Sequence, residues 1–143
     1  MGLSQTINHP EIHSKIAQDC AELMDEQVAA KTGLGGLAIK TAYGVLKGLG
    51  PGYVPRAIAN LMPKAIVAID PLWEEGLGAG DPVSHLTDNK DRAAEILLSV
   101  TDRKIANASN KVVIATYNKL RKSVRGDVEA AVPGLANIIK QYA

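Results

Sequence analysis

The chain has 143 residues, enough for a single domain with its own core, and we expect one domain over residues 1–143. Its composition is 46% hydrophobic and 22% charged, and its net charge of +1 argues against a nucleic-acid-binding protein. One cysteine excludes an internal disulfide and a multi-cysteine zinc site, and no apolar run reaches the about 18–20 residues that span a bilayer.

Helical periodicity runs through the sequence, and strand-like alternation does not occur. We therefore predict an all-α, single-domain bundle of about six helices. In chain order the predicted helices are Glu11–Ala30, Gly36–Gly48, Val54–Ile69, Asp88–Ala106, Lys111–Val124 and Asp127–Tyr142.

Start and stop signals set the predicted bounds of these helices. Asn8 and Glu11 form an N-x-x-E capping pattern before the first helix, and Thr32-Gly33 is predicted to end it. The segment 50–52 reads Gly-Pro-Gly, which is typical of a tight turn.

Prolines and glycines interrupt the later helices. Pro63 and Pro133 are expected either to kink or to end the helices that contain them. Asp70-Pro71 is predicted to end the third helix. The glycine-rich segment that follows reads as a connection, with Asp81 placed to cap a short turn.

Charges alternate in blocks along the chain, acidic, basic, acidic and basic, which prompts a search for an internal repeat. Under such a repeat Asp25 corresponds to Asp102, and AYGVLK, which contains Tyr43, corresponds to TYNKLR, which contains Tyr117. A duplication would relate residues 9–75 to residues 81–143 as two pseudo-symmetric three-helix halves. Chance similarity between two helical sequences could also produce these matches. Under the repeat we expect the two aspartates to make internal salt links rather than to catalyse.

The segment TGLGGLAIKTAYGVLKGLGPG, residues 32–52, has the residue types of a phosphate-binding loop but not its pattern. Ile39 precedes Lys40-Thr41 where a Walker loop needs glycine. The alternative dinucleotide pattern at Gly33, Gly35 and Ala38 follows a predicted helix rather than a strand. We interpret the segment instead as a helix with Gly36, Gly44 and Gly48 near one face and Lys40 between them. Close packing of a neighbouring backbone is expected at Gly44 and Gly48.

No set of residues assembles a catalytic, cofactor-binding or metal site, and we expect a protein that is not an enzyme and needs no cofactor. His9 and His13 have metal-ligand spacing, but Cys20 is too far along the helix to complete a site. His85 is an isolated histidine in a loop.

A mostly basic stripe of residues runs along one side of the fifth predicted helix. It could contact phosphates, but a solvated face, or pairing with the acidic blocks, suits a nearly neutral chain better. Its members are Lys111, Asn118, Lys119, Arg121, Lys122 and Arg125.

Four segments together resemble a family of small uncharacterised bacterial proteins, a domain of unknown function of about this length. They are DEQVAAKTG, KTAYGVLK with the following PGYVPRAI, LMPKAIVAIDPLW, and LLSVTD. The resemblance implies a bacterial, cytosolic, helical protein and supplies no functional residue.

The sequence therefore predicts a non-enzymatic interaction or structural protein that acts as a homo-oligomer, most simply a homodimer, in the cytoplasm. An unknown protein partner stays open. The alternative is a carrier of an apolar small molecule or lipid, since a core without phenylalanine could pack imperfectly around Trp73 or Tyr43.

Overall fold

The computed structural model describes residues 2–143, apart from the side chains at positions 34 and 35, and this part of the chain forms eight α-helices and no strand. The helices are α1 (Leu3–Thr6), α2 (Pro10–Ala29), α3 (Gly33–Lys47), α4 (Tyr53–Ala79), α5 (Pro82–Asp88), α6 (Lys90–Ala106), α7 (Lys111–Arg121) and α8 (Arg125–Tyr142). The all-α prediction is confirmed. The expected number of about six helices is too low, because α1 and α5 lie where no helix was predicted. Within residues 2–143, every helix is too short or too polar to cross a membrane.

The largest difference from the predicted elements is the length of α4. This helix continues through Asp70-Pro71 and through the glycine-rich segment predicted to be a connection, and it ends at Gly80, whose φ of +105° is left-handed. Leu72, Trp73 and Gly76 are buried on the added turns, so packing of these residues stabilises the continuation. Apolar burial has overridden the local stop signals.

The three prolines predicted to kink or end helices all lie inside them. Pro63 and Pro71 belong to α4, and Pro133 belongs to α8. Each proline removes one backbone hydrogen-bond donor from its helix. Pro63 and Pro71 both lie on the exposed side of α4, where water can satisfy the carbonyls that lose their partners.

Helix ends differ in detail from the predicted caps. The N-cap of α2 is His9, with Pro10 in the first turn, and Asn8 hydrogen-bonds to the side chain of His13 instead of capping the helix. Gly33 has a φ of +76°, but it begins α3 rather than ending α2. Asp81 caps α5 as predicted, accepting hydrogen bonds from Val83 and Ser84.

The turn predicted at residues 50–52 is present. The amide of Tyr53 donates to the carbonyl of Gly50 at 3.1 Å, and the φ of +154° at Gly50 falls in the range that favours glycine. This turn places the start of α4 beside the end of α3.

The core is built around α4, which packs against α2, α5 and α6. Helix α8 completes the core by contacting α2, α5 and α6, so that α2 and α6 both lie against α8 and α4. The most buried large side chains are Leu3, Ile7, Ile16, Leu72, Leu86 and Val132. A small second cluster of Ala21, Tyr43 and Val54 lies beneath α3.

Helices α3 and α7 have equivalent places in this arrangement. Each follows a long helix that packs on both α4 and α8, and α3 and α7 contact one another. Neither belongs to the main core, because their buried residues are few. Their outer sides therefore lie outside the α2–α4–α6–α8 core.

Candidate interaction surface

Two matching hydrogen-bonded groups fix α3 and α7 to the helices that precede them. On α3, the hydroxyl of Tyr43 donates to Asp25 of α2 at 2.6 Å, and the ammonium of Lys47 lies 3.1 Å from the same carboxylate oxygen. Tyrosine and lysine are four residues apart and therefore share one face of the helix.

The second group repeats the first. On α7, the hydroxyl of Tyr117 donates to Asp102 of α6, and the Nε of Arg121 lies 3.0 Å from that carboxylate. The expected salt links at Asp25 and Asp102 are thus present, and each aspartate anchors the helix that follows its own.

The electrostatics of both groups stabilise these hydrogen bonds. Donation from Tyr43, assisted by Lys47, lowers the pKa of Asp25. Donation from Arg121 and Tyr117 lowers the pKa of Asp102. Burial raises the pKa of both tyrosines, so their hydroxyls stay protonated and continue to donate at neutral pH.

Removing either tyrosine hydroxyl should weaken the fold. We expect Tyr43→Phe and Tyr117→Phe each to lower the free energy of unfolding by about 1 kcal/mol, the usual net contribution of a partly buried hydrogen bond. Tyr53→Phe is the control, because the Tyr53 hydroxyl makes no hydrogen bond within the described part of the chain. Urea denaturation followed by circular dichroism measures all three; equal losses in all three variants would contradict the assignment.

The outer side of α3 is uncharged although it faces solvent. We call this surface the α3 face: Leu37, Ala38, Thr41, Gly44, Val45, Gly48 and Leu49, all of them exposed. Leu37 is 61% exposed and Val45 43% exposed. Lys47 lies on the adjoining side of the helix, where it binds Asp25 of α2, and the exposed Lys40 borders the α3 face four residues before Gly44. An amphipathic helix normally directs charged residues outward, so α3 does not have the outer surface of a solvated helix.

The corresponding surface of α7 can be compared directly with the α3 face. When Tyr43 is aligned with Tyr117, the counterparts of the α3 face are Lys111, Val112, Ala115, Asn118, Lys119, Lys122 and Ser123, which are also exposed. We call these seven residues the α7 face. It carries three lysines, whereas the α3 face carries no charge. Leu46 and Leu120 are alike on the inward side. Outside the two faces, the exposed Lys40 of α3 corresponds to Ile114 of α7, so at that position the charge lies on α3 instead.

The glycines of the α3 face have room beside them. A Cβ placed on Gly44 would meet nothing within 4 Å, and one on Gly48 would meet only carbonyls of its own helix. Close packing of this chain against itself at these two glycines, which the sequence suggested, is not found. The packed glycine is Gly36, where a Cβ would lie 2.9 Å from the backbone of Lys31.

Comparison with known proteins identifies the family of this chain, and no activity is known for that family. A model described as "Family of unknown function (DUF6918)" matches residues 3–143. The chain belongs to this family. Neither the comparison with curated proteins nor the comparison with solved structures finds a match. The resemblance to a domain of unknown function is thus confirmed, and function has to be argued from the surface of this family member itself.

Other residues singled out in the sequence are used within the fold. Lys40 and Thr41 lie in the middle of α3, and the Thr41 hydroxyl donates to the carbonyl of Leu37. Gly35, which belonged to the dinucleotide pattern, lies outside the described side chains. His85 contacts Glu75 at 3.3 Å, and Arg92 binds the same carboxylate through two hydrogen bonds, which joins α4, α5 and α6.

The basic stripe, which runs along α7 and on to Arg125 at the start of α8, divides into two sets. Arg121 pairs with Asp102 of α6, and Arg125 pairs with Glu95, which also lies on α6. These two arginines therefore pair with the acidic block, as the charge pattern favoured. The remaining members of the stripe stay exposed on the α7 face: Lys111, Asn118, Lys119 and Lys122.

His9 and His13 do not converge with Cys20 on a metal site. Within residues 2–143 no cluster of three histidine, cysteine or carboxylate side chains is placed to hold a metal ion. Cys20 is buried in the core, and burial raises the pKa of its thiol to about 12. His13 is also buried, with its Nε2 2.7 Å from the Asn8 side chain.

His13 should make the fold sensitive to acid. Burial, with a smaller effect of His9, lowers the pKa of His13 below its usual value of about 6.5. Between that value and the lower native one, the unfolded chain binds more protons, so the free energy of unfolding decreases as pH falls. We expect His13→Gln to remove part of the difference in urea midpoint between about pH 7 and about pH 5. His9→Gln, at an exposed position, should retain most of it; equal effects of the two substitutions would contradict the assignment.

Two open clefts lie beside the aromatic residues that the sequence suggested. One, of about 280 Å³, is lined by Tyr43, Asp25 and the turn at Gly50. The other, of about 310 Å³, is lined by Trp73, Leu77 and Lys140. Both volumes are at the lower end of the range for small-molecule pockets.

Proposed function

We propose that this chain is a non-enzymatic helical interaction protein that acts in the cytoplasm as a homo-oligomer. The observation that carries the proposal is the uncharged, solvent-facing α3 face on a helix whose counterpart presents lysines at the same positions. A partner that covers this face would remove it from water.

The energetics favour covering the α3 face. Leu37 is 61% exposed to solvent, Val45 is 43% exposed and Leu49 is 37% exposed. Burying apolar surface contributes roughly 25 cal/mol per Å², and contiguous exposed apolar patches on soluble proteins commonly mark binding sites. The α7 face shows that a helix of this design tolerates charge on its outer side, so the fold alone does not require the apolar residues of α3.

The charge distribution supports a second copy as the partner. The net charge of the whole chain is +1, so two copies do not repel one another strongly at a distance. Two of the helices that contact α3 carry opposite signs: α2 has the exposed carboxylates Glu22 and Glu26, and α7 has the exposed Lys119, with Lys122 at its C-cap. Each copy therefore offers both a basic and an acidic surface to the other.

An internal duplication accounts for the matched anchors. We infer that residues 9–75 and 81–143 are related halves, supported by the Asp25–Tyr43–Lys47 and Asp102–Tyr117–Arg121 groups. The α3–α7 contact joins equivalent helices of the two halves. In this proposal the duplicated helices have diverged on their outer sides, one toward binding and the other toward water.

Sedimentation velocity of the purified chain tests the proposed homo-oligomer. We expect a reversible monomer–dimer equilibrium at micromolar concentration in low salt. The weight-average sedimentation coefficient should rise with protein concentration. A strict monomer across that range would refute the proposed function.

The alternative function is a carrier of an apolar small molecule or lipid. The cleft beside Trp73 favours it, because Leu3 and Leu77 give that cleft an apolar wall. Native mass spectrometry of the purified chain should then show a co-purified ligand that Leu77→Asp removes. A mass equal to that of the bare polypeptide would count against a carrier and leave the interaction protein.

A further inference from the structure

We propose that the contact between copies is made by α3 against α3 of the second copy, with the backbones approaching at Gly44 and Gly48. This inference rests on the proposed homo-oligomer and names the surface that forms it. The occupant of the α3 face is thus a second copy of this chain.

Charge is the first reason for a second copy. In a twofold contact, residues near the axis meet their own counterparts, so a charged residue there would repel itself. The seven residues of the α3 face carry no charge and Lys40 lies at its edge, whereas the α7 face would place lysine against lysine. The carboxylates Glu22 and Glu26 of α2 and the lysines of α7 flank the α3 face with opposite signs, so its surroundings lack the continuous basic surface that nucleic acid or an anionic membrane would favour.

The composition of the α3 face favours a helix as its occupant over a lipid surface. Helices that insert into membrane interfaces carry large apolar and aromatic side chains. The α3 face has no aromatic residue, and two of its positions are glycines with open space beside them. Glycines four residues apart let two helix backbones approach closely, so that Leu37 and Val45 can pack on either side.

The size of the α3 face limits the expected affinity. Helix α3 has 15 residues, so it is about 22 Å long at 1.5 Å per residue. One helix face of that length covers less than the about 800 Å² per partner of a standard interface. The contact must therefore extend to α2 and α7, whose opposite charges can pair across the two copies. We expect a dimer of micromolar affinity that weakens as salt is added.

Cysteine cross-linking tests this contact in the full chain. Cys20 can remain in place, since its thiol is buried and its pKa is about 12. We compare Gly44→Cys and Gly48→Cys with Asn118→Cys, the counterpart of Gly44 on the α7 face. A disulfide requires Cα atoms about 4.4–6.8 Å apart, which a glycine-mediated contact near a twofold axis provides. Under a mild oxidant, at least one α3 variant should form a covalent dimer at least tenfold faster than Asn118→Cys.

The outcomes separate this inference from the proposed function. If the wild-type chain sediments as a dimer but neither α3 variant cross-links faster than Asn118→Cys, the chain self-associates through another surface and the α3 contact is wrong. If the chain is strictly monomeric, both proposals fail. Co-sedimentation of the wild-type monomer with anionic vesicles, lost on Leu37→Asp, would assign the α3 face to a membrane and overturn the inference. Circular dichroism of each variant confirms that it is folded.

Discussion

Replacing Gly76 with alanine should destabilise the protein by about 1–3 kcal/mol, the range expected when an extra methyl group is forced into a packed core. A Cβ at this position would lie 2.5 Å from the Cα of Pro82 and 3.0 Å from the Cβ of His85. The first of these atoms belongs to the backbone, so α5 would have to move away from α4. Such a movement would disturb Leu86 on α5, which is fully buried.

Gly78 provides the matched control on the same helix. A Cβ at Gly78 would meet nothing within 4 Å, so Gly78→Ala should instead stabilise α4, by up to about 1 kcal/mol. Urea denaturation of the two variants measures the difference, and we expect midpoint shifts of opposite sign. Shifts of the same sign would contradict the close packing of α5 against α4 at Gly76.

Placing the residues of the α7 face onto α3 should abolish most self-association without unfolding the protein. In the double variant Leu37→Lys with Val45→Lys, each position receives the residue found at its counterpart, Lys111 or Lys119. Both positions are exposed, and lysine is a good helix former, so the free energy of unfolding of the monomer should change little. In the dimer, two apolar contacts per copy are lost and lysines face one another. A loss of about 3 kcal/mol corresponds to an affinity about a hundredfold weaker.

Val67→Lys is the control for this double variant. Val67 is 55% exposed and lies on α4, outside the α3 face. The Val67→Lys substitution introduces the same side chain at a similarly exposed apolar position. A general effect of added charge would therefore appear in both variants. We expect its dissociation constant to match that of the wild-type chain.

Much of the fold could be predicted from sequence because its helices have regular apolar periodicity. The length of α4 could not be, because Asp70-Pro71 and the glycines after it are local stop signals. Their effect is outweighed by burial of Leu72 and Trp73, which depends on the helices packed around them. Asp70 also has a use that local pattern does not reveal: its carboxylate accepts a hydrogen bond of 2.7 Å from the amide of Leu3 at the start of α1.

The candidate surface was only partly accessible from sequence. The apolar stripe of Leu37, Val45 and Leu49 is visible in the residue pattern, but α3 is apolar on several sides and periodicity does not say which side faces out. The structure shows which side faces inward, because Tyr43 is only 8% exposed and its hydroxyl donates a hydrogen bond to Asp25 of α2. Glycines pose the same difficulty, since Gly44, Gly76 and Gly78 are alike in sequence and differ only in what surrounds them.

Self-association through the α3 face is the central claim, and sedimentation velocity tests it most directly. The wild-type chain, the Leu37→Lys/Val45→Lys variant and Val67→Lys are compared at the same micromolar concentrations in low salt. We predict concentration-dependent dimers for the wild-type chain and Val67→Lys, and monomers for the double variant. Dimers of equal affinity in all three proteins, or monomers in all three, would contradict the claim.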